Sequence, residues 1–86
     1  MELQMGRREK LIAKLKTIPA DFTWQELTAL LKALGYRQMQ GTGSRVKFEN
    51  GNADQMINLH RPHPGNVVKR YVLRQLIEKL QQSGML

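Results

Sequence analysis

The chain has no cysteine, so neither a disulfide nor a thiolate zinc site can reinforce its core. Its two histidines, His60 and His63, stand three positions apart with no carboxylate nearer than Asp54, a poor ligand set for a metal. No apolar run approaches the ~20 residues that a spanning helix needs, and charge interrupts MELQMGRREKLIAKLK every few positions. No membrane association is expected, and the cytoplasm is the expected location. Neither a phosphate-binding loop nor a dinucleotide fingerprint is present, and no cofactor is expected. Ser44 has no partner base in its own strand, which argues against a serine nucleophile. Acidic residues are scarce: seven Asp and Glu face fourteen Lys and Arg, giving a net charge of +7 and a pI near 10.3. A surplus of this size on 86 residues points to a polyanionic partner, a nucleic acid or an acidic protein.

A chain this short forms one domain and buries about 60% of its unfolded surface, so its core is thin. Leu11, Ile12, Leu15 and Ile18 follow helical spacing within a basic segment, predicting an amphipathic helix from Leu3 to Ile18 that Pro19 ends. Thr23 and Glu26 form a T-x-x-E capping box, with Phe22 and Leu27 placed as a hydrophobic staple. That sets the start of a second helix, whose apolar face holds Trp24, Leu27, Leu30, Leu31 and Leu34 and which Gly35 ends. Trp24, in register with leucines, is expected in the core. Tyr36 to Gln40, Ser44 to Glu49 and Met56 to His60 alternate as strands of an antiparallel meander, joined by Gly41-Thr42-Gly43 and by a longer loop opening at Asn50-Gly51. A third helix carries Val68, Val72, Leu73, Leu76, Ile77 and Leu80 inward and ends near Gly84. The fold class is therefore α+β, a three-stranded antiparallel sheet packed against helices in the order α-α-β-β-β-α.

The chemistry gathers between Gly41 and Asn66. Pro62 and Pro64 bracket His63 and stiffen its loop, and Arg45 and Lys47 alternate onto one face beside the strand that ends at His60. His60 and His63 can move protons near neutral pH, and Arg45, Lys47 and Arg61 are cations close by in the sequence.

Several motifs in this order resemble the HicA family of bacterial toxin–antitoxin modules. They are the helix ending LLKALGYR, the strand start with Gly43, Ser44, Lys47 and Phe48, and the Pro-His loop followed by VKRYVLRQLI. The resemblance covers about Phe22 to Leu86, implying a core from residue 21 to 86 with residues 1 to 20 as a helical extension. It further implies a double-stranded-RNA-binding-domain-like fold, endoribonuclease activity on messenger RNA, and inhibition by a cognate HicB-like antitoxin, with a possible oligomer in that complex. Family members usually carry a catalytic histidine directly after the Gly-Ser; here that position is Arg45, which stays protonated and is no base at neutral pH. His63 falls where the family often has a second histidine, and His60 has no counterpart. The metal-free RNA cleavage that the resemblance implies needs a base for the 2′-hydroxyl, an acid for the leaving oxygen and cationic charge for the phosphate. On that reading His60 and His63 divide the proton transfers, Arg45 clamps the phosphate, Lys47 or Arg61 adds charge, and Gly43, Ser44, Lys69, Arg70 and Arg74 complete the expected RNA-contacting set. Two other readings stay open: a catalytically silent RNA-binding module, and a domain that docks an acidic protein.

Overall fold

The computed structural model describes residues 6–86. Helix α1 spans Arg7–Lys16, α2 Trp24–Ala33 and α3 Arg70–Gln82, with strands β1 (Arg37–Gln40), β2 (Arg45–Glu49) and β3 (Ile57–His60) between the second and third helices. The strands form one antiparallel sheet in the order β1-β2-β3, giving the expected α+β fold and element order. The first five residues, which include the expected start of α1 at Leu3, lie outside the described part.

Alternation divides the sheet into two unlike faces. Val46, Phe48 and Ile57 turn inward and are buried, and Phe48 meets Trp24 with ring centroids 5.9 Å apart. The intervening residues Arg45, Lys47, Asn58 and His60 are exposed on the opposite face. All three helices feed the single core on the inner side: Leu11 and Leu15 from α1, Leu27, Leu30 and Leu31 from α2, and Leu73, Leu76 and Leu80 from α3.

The α2 capping box is complete, with the Glu26 amide donating to the Thr23 hydroxyl and the Thr23 amide donating to the Glu26 carboxylate. Lys14 reaches that same carboxylate from α1 at 2.9 Å, so the cap also joins two helices. Phe22 and Leu27, the staple pair, are fully buried. α1 ends at Lys16 with Thr17 as its C-cap, two residues before the expected end at Ile18, which takes a left-handed conformation (φ 49°) just before Pro19.

Two features differ from the sequence pattern. Val68 sits on the expected apolar face of the third helix, yet α3 begins at Arg70 with Lys69 as its N-cap. Val67 instead forms an antiparallel bridge with Thr23, flanked by Trp24 N–H to the Asn66 carbonyl at 2.7 Å and Val68 N–H to the Phe22 carbonyl at 2.8 Å. The loop after Asn50-Gly51 winds into a 3₁₀ turn over Ala53–Gln55, and the Tyr36 hydroxyl donates to the Gln55 carbonyl at 2.8 Å.

Candidate active site

The β1–β2 connection is a tight turn closed by the Arg45 amide on the Thr42 carbonyl at 3.2 Å and by the Gly41 amide on the Arg45 carbonyl at 2.9 Å. Gly43 occupies it with φ +63°, where a Cβ is strained. The turn delivers Ser44 and Arg45 to the end of β3. There the Arg61 amide donates to the Ser44 carbonyl at 2.8 Å, making Ser44 and Arg61 a hydrogen-bonded pair of the ladder. The next pair, Arg45 opposite His60, is consequently a non-hydrogen-bonded one. Such pairs bring Cα atoms to ~4.5 Å, the closest approach an antiparallel ladder provides. Arg45 and His60 thus stand side by side on the open face, with Lys47 and Asn58 as the following row.

The Ser44 hydroxyl lies 3.1 Å from Nδ1 of His60. With Nδ1 engaged, Nε2 is the nitrogen left for a substrate. The hydroxyl donates to Nδ1 when Nε2 carries the hydrogen, and accepts from Nδ1–H when Nε2 carries the lone pair. One contact therefore serves a histidine acting as acid or as base. β2 itself holds no base for Ser44, but the neighbouring strand β3 sets His60 against its hydroxyl. Among the described residues no carboxylate pairs with His60 to complete a nucleophilic triad.

Two clefts meet at β3. The smaller, about 450 Å³, is lined by Gly41, Thr42, Arg45, Val46, Lys47, Asn58, Leu59 and His60. The larger, about 500 Å³, lies between β3 and the start of α3 and includes His60, His63, Lys69, Tyr71 and Gln75. His60 belongs to both, Arg45 and Lys47 only to the smaller, and His63 and Lys69 only to the larger.

The remaining expected contacts are placed elsewhere. Arg61 contributes to the wall of the larger cleft, but its guanidinium lies over the Trp24 ring at 5.9 Å and its Nη2 reaches Gln40 Oε1 at 3.4 Å. Lys47, by contrast, lines the smaller cleft with Arg45 and His60. Arg70 and Arg74 are exposed on α3 outside both clefts.

Among the described residues no acidic side chain lines either cleft. Glu49 and Glu26 are each held by a cation. Glu49 is held below the usual carboxylate range, first by Arg37, whose Nε donates to it at 2.8 Å, and then by the Gly51 amide. For Glu26, burial pushes the carboxyl up, but the Thr23 amide and the Lys14 ammonium outweigh it and lower the value. The cleft walls therefore present cationic and neutral donor groups to an anion, with Glu49 two residues on from Lys47 along β2.

Compared with protein families, residues 24–85 match the one described as HicA toxin of bacterial toxin-antitoxin. The chain belongs to the HicA toxin family. The match opens on the first residue of α2, runs through α3 and leaves α1 outside. Comparison with curated proteins gave no match, and comparison with solved structures gave none either. Within this HicA domain, sequence reasoning missed the Ser44–His60 bond, because the two residues are 16 positions apart. It also passed over Asn58, Tyr71 and Gln75. The available signals were the β3 alternation, which puts Asn58 on the face of His60, and the i, i+4 spacing of Tyr71 and Gln75 on α3.

Proposed function

We propose that this HicA protein is an RNA-cleaving toxin in which His60 transfers protons and Arg45 clamps the phosphate. The observation that carries this reading is the direct cross-strand pairing of Arg45 with His60, whose ring is held through Nδ1 by Ser44. In the proposed reaction a histidine takes the proton of a ribose 2′-hydroxyl and the 2′-oxygen attacks the adjacent phosphorus. The bond from phosphorus to the 5′-oxygen then breaks, and that oxygen receives a proton. The products are a 2′,3′-cyclic phosphate and a 5′-hydroxyl, and no metal enters the balance. His60 performs one transfer and His63, across the larger cleft, the other. Arg45 and Lys47 stabilise the charge that grows on the phosphate oxygens. The partner is an antitoxin of the HicB kind whose acidic or strand-forming surface covers this cationic face.

One feature favours a second reading, a catalytically silent RNA-binding module: Arg45 stands where the family usually places its catalytic histidine. The test is RNA incubated in EDTA with the wild type and with His60→Ala, His63→Ala and Arg45→Ala, alongside growth on expression of each. The expected result is metal-independent cutting that His60→Ala lowers about 100-fold or more, the range of a lost general acid or base. Folded wild type that binds RNA and never cuts it would sink the ribonuclease reading and leave the silent module.

A further inference from the structure

The larger cleft holds the described residues' least explained side chain. Tyr71 is 57% exposed on α3, and Val67, 46% exposed, lines the same cleft. An aromatic ring left open to water stabilises no core, and here it forms one wall of a concave site of about 500 Å³. Gln75 follows one helical turn later on the same stripe of α3, and Asn58 faces from β3. Two side-chain amides, each with a donor and an acceptor, therefore border an aromatic platform.

We infer that this cleft is a nucleobase subsite, in which Tyr71 stacks on one unpaired base and Gln75 and Asn58 hydrogen-bond its edge. The inference rests on the proposed action on RNA and adds the form of the substrate. A base inside a duplex exposes no face for stacking, so the ligand is single-stranded RNA or an unpaired loop. Cleft volume, cationic character and position agree. A base with its sugar fits the usual size range of ligand sites. Lys69 supplies charge for the adjoining phosphate, and among the described residues no acid lines the cleft with it. His60 is shared with the smaller cleft, so the bound base belongs to a nucleotide next to the phosphate held by Arg45. The open edge of β3 also lines the cleft and makes an added protein strand the competing occupant. Its apolar lining is interrupted by His63, Lys69, Asn58 and Gln75, which suits a polar-edged aromatic base better than a strand's side chains.

The test measures binding of the full chain to a short single-stranded oligodeoxynucleotide, which has no 2′-hydroxyl and is not cut, to the same backbone without bases, and to a duplex of the same sequence. Tyr71→Ala is expected to weaken the base-bearing strand about tenfold, the scale of one lost stacking contact, and to leave the abasic strand unchanged. Tyr71→Trp is expected to retain binding, and Gln75→Ala to alter the ranking of oligo-dA, dC, dG and dT. An equal loss on base-bearing and abasic strands, no loss on either, or tightest binding to duplex overturns the subsite. So does a Tyr71→Ala defect seen only in capture of the purified antitoxin. Base-dependent binding by a chain that never cuts RNA removes the ribonuclease reading and keeps the subsite; cutting that is indifferent to Tyr71 does the reverse.

Discussion

The sequence places Ser44 among the expected phosphate contacts, and its hydroxyl lies 3.1 Å from Nδ1 of His60. A hydroxyl that holds the imidazole acts on turnover, whereas one that holds substrate acts on affinity. Ser44→Ala is accordingly expected to lower kcat with little change in KM, and Ser44→Thr to recover most of it; steady-state cleavage of a labelled RNA reads both. A rise in KM alone would return Ser44 to phosphate binding. Gly43 is the other residue on which this placement depends. At φ +63° a side chain is strained, and nothing lies within 4 Å of where its Cβ would stand, so crowding adds nothing. Gly43→Ala is expected to cost about 1–2 kcal/mol in urea unfolding through backbone strain alone. It should reduce cleavage further than that loss of folded protein explains, because relaxing the turn moves Ser44 and Arg45 off His60.

At the scale of elements, α1 is part of the core although the family match leaves it out. Leu15 is wholly buried among residues of the other helices and the sheet, and Lys14 is tied to the Glu26 cap of α2. Leu15→Ala is expected to destabilise by about 2–5 kcal/mol, the usual cost of a deep leucine deletion. Set against the 5–15 kcal/mol of a typical domain, that loss is visible as a lower urea midpoint. If the midpoint did not move, α1 would be a dispensable appendage. Thr23→Ala removes one half of the capping box and is expected to cost about 1 kcal/mol. The periodicities located α2, β2 and β3 within a residue or so because each is locally consistent. They extended the third helix toward Val68 because a valine at helical spacing looks like helix. The Val67 bridge to Thr23, more than forty positions away in the chain, claims that segment instead. Local pattern carries no information about a pairing of that range.

At the scale of the molecule, positive charge is arranged as well as abundant. Glu26 is paired with Lys14 and Glu49 with Arg37, while among the described residues Arg45 and Lys47 line a cleft whose walls carry no acid. Glu26 is lowered from the ordinary value of 4.5, so it contributes stability above pH 4.5 that is lost as pH falls through its depressed folded value. Urea midpoints taken from pH 6 downward should fall on the acid side, and Glu26→Gln should flatten that fall; an unchanged slope would discharge the Lys14–Glu26 pair from any role. The sequence by itself determined the charge, the element order, the inward face of each helix and strand, and the concentration of chemistry between Gly41 and Asn66, since these follow from composition and local periodicity. Only the tertiary structure decided that Ser44 holds His60, that Arg45 is its cross-strand neighbour, that Arg61 turns to Trp24, and that Tyr71 faces a cleft. Each of those is a meeting of residues far apart in the chain, fixed by strand register and helix packing.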